Sequence, residues 1–160
     1  NNRAEAEAMV GSAKYPPLGG RSWGGYTAFQ TYGLPPADYL QKANTITQVF
    51  AMIETQAALD AVEEIAAVPG LDGLFVGPSD LSIALSKGAG IDKTAKHTLE
   101  AMKRVAAAAH KNKLVAGAFA GSADVIKTYA AMGYTFMAGA VDVDLLQAGA
   151  ENLMKAVKGV

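Results

Sequence analysis

Two carboxylates in this sequence are placed where they could do chemistry together. Glu54 follows the apolar run FAMI, and Asp80 follows LFVGPS; the segment between Phe50 and Leu81 has the pattern strand, helix, strand. Because the two strands of such a unit run parallel, both carboxylates are expected at the same edge of the sheet. Acidic oxygens at one edge suit Mg²⁺ or Mn²⁺, with waters and a chelating substrate completing the coordination. The alternative is that Glu54 only begins the next helix, where a carboxylate favours the helix dipole.

The second feature is the turn Gly77-Pro78-Ser79-Asp80-Leu81. A glycine and a proline shape the chain here, and the amides that follow can point at one spot. Such a group of N–H donors suits a carboxylate or a phosphate. The alternative is a tight turn between a strand and a loop, with no ligand.

Composition excludes several classes of function. The chain has 160 residues, of which 51% are hydrophobic and 18% charged, and its net charge is −1. Nucleic acid is not expected as a partner, because its binding requires clustered Lys and Arg. No apolar run reaches the roughly 18 residues of a membrane span, and no signal-peptide pattern opens the chain. The absence of cysteine excludes disulfides and thiolate sites. We expect a cytoplasmic enzyme or binding domain.

The remaining pattern predicts the elements that position these groups. A helix is expected from Asn1 to Lys14 and an irregular segment from Tyr15 to Asn44. The pattern then predicts, in order, a strand at 47–53, a helix from Gln56 to Val68, a strand from Leu71 to Val76, a loop from Ser82 to Gly90, a helix capped by Asp92 and running to Lys111, a strand at 114–120, a helix capped by Ser122 and ended by Gly133, a strand at 134–140, and a final helix capped by Asp142 with Leu145, Leu146, Ala150, Leu153 and Val157 on one face.

Strands that alternate with helices indicate an α/β fold with a parallel sheet. The short apolar strands favour a TIM (β/α)8 barrel, and no GxGxxG motif follows a strand to suggest dinucleotide binding. A complete barrel takes about 250 residues. We therefore expect residues 1–160 to form a single domain, the C-terminal part of a barrel with about four βα units, which is either a portion of a longer polypeptide or completed by another copy or segment.

Several motifs make the chain resemble a known family. The run MIETQAALDAVEEIAAVPGLDGLFVGPSDL is similar to the HpcH/HpaI aldolases, the metal-dependent pyruvate aldolases related to the citrate lyase β subunit. The similarity extends upstream over KYPPLGGRSWGG and downstream over AAMGYTFMAGAVDVDLL. It covers nearly the whole chain.

The resemblance implies a (β/α)8 barrel in which Glu54 and Asp80 bind Mg²⁺, Mn²⁺ or Co²⁺. It also implies that backbone amides around Gly77, Pro78, Ser79 and Asp80 hold the carboxylate of pyruvate. The expected activity is that of a class II aldolase, which cleaves 4-hydroxy-2-oxo acids to pyruvate and an aldehyde through a metal-stabilised enolate. Two alternatives are an oxaloacetate-type decarboxylase or other carbon–carbon lyase of the same family, and a catalytically silent half-barrel for binding or assembly.

The sequence departs from the family pattern in two respects. Met52 stands where the family usually has Gln. The family's catalytic Arg and His–Asp base lie on earlier strands, which would place them upstream of Asn1. Arg21 is not the matching arginine, and His97 and His110 are expected on or beside an outer helix. The catalytic base is therefore unknown.

Two further groups of residues have open roles. The aromatic side chains of Trp23, Tyr26, Phe29 and Tyr32 fall in one loop, and they line either an active-site mouth or a subunit interface. We expect a homo-oligomer, as the family resemblance implies. Asp142 and Asp144 follow the last strand at the same rim as Glu54 and Asp80, and capping of the final helix is the expected role of Asp142.

Overall fold

The computed structural model describes residues 1–159. Its strands are β1 (Phe50–Ile53), β2 (Gly73–Val76), β3 (Val115–Phe119) and β4 (Phe136–Ala138). Its helices are α1 (Arg3–Ala13), α2 (Tyr26–Tyr32), α3 (Pro36–Ile46), α4 (Gln56–Asp60), α5 (Val62–Ala66), α6 (Pro78–Leu85), α7 (Lys96–Lys111), α8 (Ala123–Ala130) and α9 (Asp142–Lys158).

The four strands form one parallel sheet in the order β1-β2-β3-β4. The α/β fold with a parallel sheet is therefore confirmed. Ile53 pairs with Val76, and Val76 pairs with Ala118, so the carboxyl ends of β1, β2 and β3 lie side by side. Whatever follows these strands meets at one rim.

One face of the sheet carries the main core. Alternate strand residues on that face, such as Ile53, Leu74 and Ala118, are fully buried. They join buried residues of α5 and α7, among them Ile65 and Met102. The face of α7 follows the helical spacing that the sequence predicts, because Met102, Val105 and Ala109 recur every three or four residues.

The other face of the sheet is open in the described residues. Its side chains include Met52, which is 47% exposed, and Phe136, which is 53% exposed. The ring centroid of Phe136 lies 5.2 Å from that of Phe50 and 6.1 Å from that of Phe75. These rings cover the positions where Gly73 and Gly117 have no side chain. An apolar layer thus stands on the sheet without a second layer above it.

The segment from Tyr15 to Asn44 is not irregular throughout, and that prediction was wrong. It contains α2 and α3, whose side chains Phe29, Tyr39 and Ala43 form a second buried cluster with Tyr15. The prolines mislead because Pro36 occupies the first turn of α3, where a proline has no lost hydrogen bond. Gly33 ends α2 in the left-handed conformation.

Other predicted boundaries also move. The predicted helix from Gln56 to Val68 is divided into α4 and α5 at Ala61. Asp92 does not cap α7, because the N-cap of this helix is Ala95. The side chain of Asp92 instead accepts hydrogen bonds from the backbone N and the hydroxyl of Thr94. The hydrogen bond from the Thr94 hydroxyl, and then the one from the Thr94 backbone N, lower the pKa of Asp92 below its usual value.

The last helix differs most from expectation. Its N-cap is Val141 rather than Asp142, and no residue of α9 is buried. The predicted apolar face is present but exposed; it consists of Leu145, Leu146, Ala150, Leu153 and Val157. Among residues 1–159, no helix combines the length and the apolar character needed to cross a membrane.

A buried ion pair ties the amino ends of the strands to the preceding helices. Lys14 is 2% exposed, and its Nζ donates to Oδ2 of Asp72 at 2.8 Å and to the backbone O of Asn44 and Thr47. The same Oδ2 of Asp72 accepts from the backbone N of Val49 at 2.7 Å. The end of α1, the end of α3 and the starts of β1 and β2 are therefore held at one point.

We expect Lys14→Met to lower the free energy of unfolding by about 3 kcal/mol, because it leaves the half-buried Asp72 carboxylate without its cationic partner and the carbonyls of Asn44 and Thr47 without the lysine donor. The matched control is Lys111→Met, which removes an exposed ion pair to Glu63 and should cost less than about 1 kcal/mol. Urea denaturation followed by circular dichroism measures both. Equal midpoints for the two variants would contradict the role of Lys14.

The burial of Tyr129 and Tyr134 predicts that the free energy of unfolding decreases at alkaline pH. Burial raises the pKa of Tyr129 to about 12, and burial, with Tyr129 nearby, raises that of Tyr134 further. A raised folded pKa means that the stabilisation is complete below pH 10.0, the ordinary tyrosine value, and is lost as pH rises above it.

Tyr134→Phe should therefore make the decline in unfolding free energy above about pH 10 less steep. At pH 7 the same variant should lose about 1 kcal/mol, because the Tyr134 hydroxyl donates to the backbone O of Met102 at 2.9 Å. Tyr26→Phe, at an exposed ring, is the control. Urea midpoints from pH 8 to 11.5 test this; parallel curves for all three proteins would contradict it.

Candidate metal and substrate site

Glu54 and Asp80 lie beside one another at the carboxyl rim of the sheet. Glu54 directly follows β1, and Asp80 lies in the first turn of α6, after β2. Because Ile53 pairs with Val76, Glu54 and Gly77 occupy neighbouring positions just beyond the strands. Glu54 is half-buried and Asp80 is exposed.

Gly77 leaves the space between the two carboxylates free. A Cβ atom placed on Gly77 would lie 2.7 Å from Oε2 of Glu54 and 3.4 Å from Oδ2 of Asp80. The two oxygens therefore flank one small volume that a side chain at this position would fill. A volume bounded by two carboxylate oxygens suits a divalent cation that keeps several waters or takes donors from a substrate.

No group of three or more His, Cys, Asp or Glu side chains that could hold a metal occurs in residues 1–159. The chemistry of the donor set still fits Mg²⁺, which proteins commonly bind through one or two carboxylates together with water and substrate oxygens. Glu54 and Asp80 would hold the ion, and the remaining positions would go to water and to a chelating ligand.

The predicted turn at Gly77 is the beginning of a helix. Gly77 is the N-cap of α6, and Pro78 is its first residue, where the missing N–H costs nothing. The predicted loop from Ser82 to Gly90 is therefore wrong for residues 82–85, which belong to this helix. The first intrahelical bond runs from the N of Leu81 to the O of Gly77 at 2.8 Å.

This helix start supplies donors next to the carboxylates. The N–H groups of Ser79 and Asp80 precede the first intrahelical bond, so helix geometry provides them with no acceptor. Together with the positive end of the helix dipole they favour an anion. An organic acid that placed its carboxylate here could also reach a cation between Glu54 and Asp80.

The other candidate residues lie elsewhere. His97 is exposed on α7, and the Nε2 of His110 lies 3.0 Å from the backbone O of Gly133. Arg21 is at the opposite rim, where its guanidinium lies 3.3 Å from the Thr47 hydroxyl. Met52 is on the open face of the sheet, two residues before Glu54.

The remaining candidates are two acidic residues of α9 and the group of aromatic residues that includes Trp23. Asp142 and Asp144 lie exposed in the first turn of α9, and Oδ1 of Asp142 accepts from the N of Val143. Among the aromatic residues, Trp23 packs on the buried Phe29 with ring centroids 5.0 Å apart. Tyr26 is largely exposed. Whether this group borders an active-site mouth or a subunit interface stays a prediction.

Sequence reasoning missed one residue at this rim, Lys93. It lies on the connection between α6 and α7, and its Nζ donates to the backbone O of Ala120 at 3.0 Å. Ala120 directly follows β3, so the ammonium is at the same edge of the sheet as Glu54 and Asp80. The one local signal is Asp92, because an Asp side chain that accepts from the backbone N two residues later favours a turn, and Lys93 lies within that turn.

Comparisons with known proteins show the family to which the chain is similar. A family model described as HpcH/HpaI aldolase/citrate lyase matches residues 1–148. The chain is 34% identical over 154 residues to a hydroxypyruvate/pyruvate aldolase of Rhizorhabdus wittichii, covering 96% of this chain and 60% of that protein. It is 36% identical over 161 residues to a 2-dehydro-3,6-dideoxy-6-sulfogluconate aldolase of Pseudomonas putida, covering 99% and 61%.

Solved structures show the same fold. The chain superposes on a HpcH/HpaI aldolase/citrate lyase family protein from Burkholderia cenocepacia with a TM-score of 0.82 at 32% identity, covering 98% of this chain and 62% of that one. A HpcH/HpaI aldolase from Desulfitobacterium hafniense gives the same TM-score, 0.82, at 28% identity. The chain thus spans about 60% of the length of these relatives.

We expect Glu54→Gln and Asp80→Asn each to weaken Mn²⁺ binding by about tenfold or more, since each removes one of two anionic ligands. Gly77→Ala should do the same, because the new methyl group occupies the volume between the carboxylates. Electron paramagnetic resonance of free Mn²⁺ measures the affinity.

Gly90→Ala is the matched control, since a Cβ there has no neighbour within 4 Å. Circular dichroism should show that all four variants fold. Unchanged Mn²⁺ affinity in Gly77→Ala would mean that the ion does not bind between these two side chains.

Proposed function

The chain belongs to the HpcH/HpaI aldolase/citrate lyase family, and we propose that it carries the metal and pyruvate subsites of a class II aldolase. The reaction would cleave a 4-hydroxy-2-oxo acid to pyruvate and an aldehyde, or join the two in reverse. Because the chain spans about 60% of its relatives' length, the activity of the whole protein is itself proposed. We also propose that these residues form the C-terminal part of a (β/α)8 barrel.

One observation carries the proposal: two carboxylates flank the empty side-chain position of Gly77, next to the start of α6. Glu54 and Asp80 would hold Mg²⁺, Mn²⁺ or Co²⁺. When bound, such an ion supplies Lewis-acid stabilisation of negative charge on the keto oxygen of the 2-oxo acid.

The residues of this chain also bind and orient the substrate. The N–H groups of Ser79 and Asp80 would receive the carboxylate of the pyruvate half, with Gly77 and Pro78 shaping the backbone that presents them. A fixed carboxylate leaves the keto oxygen directed towards the Glu54 and Asp80 pair. Orientation of this kind lowers the entropic cost of reaching the reactive geometry.

The names of relatives favour pyruvate as one product. One is called a 4-hydroxy-2-oxovalerate aldolase, from Novosphingobium aromaticivorans, and is 41% identical over 105 residues. Another is called a 5-keto-4-deoxy-D-glucarate aldolase, from Klebsiella pneumoniae, and is 33% identical over 156 residues. We therefore propose that the relatives share the pyruvate half of the substrate and differ in the aldehyde half.

Exposed apolar surface supports a further part of the proposal, assembly with other copies. The open face of the sheet carries Met52 and Phe136, and α9 exposes Leu146 and Leu153. Exposed apolar side chains grouped on one face are typical of surfaces that another protein surface covers. We propose a homo-oligomer, working in the cytoplasm.

The direct test is pyruvate release from 4-hydroxy-2-oxopentanoate, measured with lactate dehydrogenase and NADH. We expect turnover with Mg²⁺ or Mn²⁺, loss of turnover with EDTA, and a loss of about a hundredfold or more in Glu54→Ala. Glu64→Ala, which changes an exposed carboxylate on α5, is the matched control and should keep full activity.

Different outcomes favour the alternatives. Metal-dependent release of pyruvate from oxaloacetate alone would indicate a decarboxylase of the same family. Glu54-dependent Mn²⁺ binding without turnover of either acid would indicate a silent binding or assembly module. Turnover that survives both EDTA and Glu54→Ala would refute the metal-dependent mechanism.

A further inference from the structure

Lys93 lies at the rim of the candidate site with most of its hydrogen-bonding capacity unused. The residue is half-buried, and its ammonium donates to the O of Ala120 and forms no ion pair within residues 1–159. An ammonium group has three donors. Lys14 shows the contrast, because all its donors meet acceptors inside the protein.

The ammonium of Lys93 lies close to the residues that follow β3. A Cβ placed on Gly121 would lie 3.4 Å from Nζ of Lys93 and 3.1 Å from the ring of Phe119. Phe119 and Gly117 are two residues apart on β3, so they lie on the same face of the sheet. The ring of Phe75 covers this face at Gly117. The charge therefore lies near the edge of the apolar layer, at the carboxyl end of β3.

The backbone around Lys93 is fixed from three helices. Ser82 of α6 accepts from the N of Asp92, Thr98 of α7 donates to the O of Asp92, and Tyr129 of α8 donates to the O of Lys93. All three of these side chains are buried. A surface connection that only joined α6 to α7 would not need buried polar partners from three elements.

The same contacts join Lys93 to the pyruvate subsite. The hydroxyl of Ser82 accepts from the N of Asp92 and also donates to the O of Ser79 at 2.7 Å. Ser79 provides one of the two N–H donors proposed for the pyruvate carboxylate. In the sheet, Val76 pairs with Ala118, so the segment after β3 that Lys93 contacts lies next to the segment that begins α6.

We propose that Lys93 is a specificity-determining residue that binds an anionic group, a carboxylate or a phosphate, on the aldehyde half of the substrate. This rests on the proposed aldolase function. The pyruvate carboxylate occupies the Ser79 and Asp80 amides, so a second anion must find a separate cation at the same rim. Lys93 offers two unused donors there, in a position that the backbone contacts hold fixed. The aldehyde half would lie along the apolar face beside Phe119, with its charged end at the ammonium.

The test compares aldehydes of matched shape in the synthetic direction, with pyruvate held at saturation. The first pair is succinic semialdehyde and butanal; the second is glyceraldehyde 3-phosphate and glyceraldehyde. Lys93→Gln should raise KM for the anionic aldehyde of at least one pair by about tenfold or more, as expected for the loss of a charge-assisted hydrogen bond. KM and kcat for the neutral aldehydes should stay unchanged. The pair that responds identifies the anion.

Two variants separate specificity from structure. Lys93→Arg keeps the charge and should retain most of the preference for the anionic aldehyde. Lys96→Gln removes an exposed charge three residues away and should leave every constant unchanged. Equal effects of Lys93→Gln on anionic and neutral aldehydes would overturn the proposal and assign Lys93 a structural role.

A binding measurement keeps the proposal testable if no aldehyde reacts, a result that counts against the aldolase function itself. Isothermal titration with succinic semialdehyde and with glyceraldehyde 3-phosphate then compares the wild-type chain with Lys93→Gln. Weaker binding of either anion by the variant supports an anion site at Lys93. Equal affinities for both anions overturn it.

Discussion

The buried contact between Lys14 and Asp72 is the constraint on which the rest of the structure depends. It joins the end of α1, the end of α3 and the residues that precede β1 and β2 at one point. Because Asp72 also accepts from Val49, the two strands start from a common origin and pair Phe50 with Gly73. A buried ion pair adds little net stability, but its loss is costly, so its main effect is to specify one arrangement.

That alignment at the amino ends determines what meets at the carboxyl ends. β1 and β2 have four residues each, so a shared start brings Glu54 next to Gly77. A shift of one residue would turn the strand side chains to the opposite face and separate Glu54 from Asp80. The chemistry at one rim therefore depends on a lysine at the other rim, in a part of the chain that contributes no ligand.

The two faces of the sheet differ in what covers them. The buried face is made of small and branched side chains that pack against α5 and α7. The open face presents aromatic rings above glycines, and the rim above it carries two carboxylates, two free amides and the ammonium of Lys93. Polar groups of opposite charge are thus gathered at the edge of an apolar surface, as is usual for sites that bind small organic acids. The family relationship and this arrangement support the same proposal.

The sequence by itself determined the alternation of strands and helices, the parallel sheet and the presence of two carboxylates at one edge, because these follow from local periodicity and the geometry of βα units. It could not show that Pro78 to Leu85 form a helix capped by Gly77, since Gly-Pro-Ser suits a turn equally well, nor that α3 begins at the second of two prolines, Pro36. It gave no sign that Lys14 is buried or that Lys93 reaches Ala120. Only the tertiary structure decided these points, because the local signals leave both helix starts ambiguous. The contacts of Lys14 and Lys93 join residues 27 to 58 positions apart in the chain, beyond the reach of any local pattern.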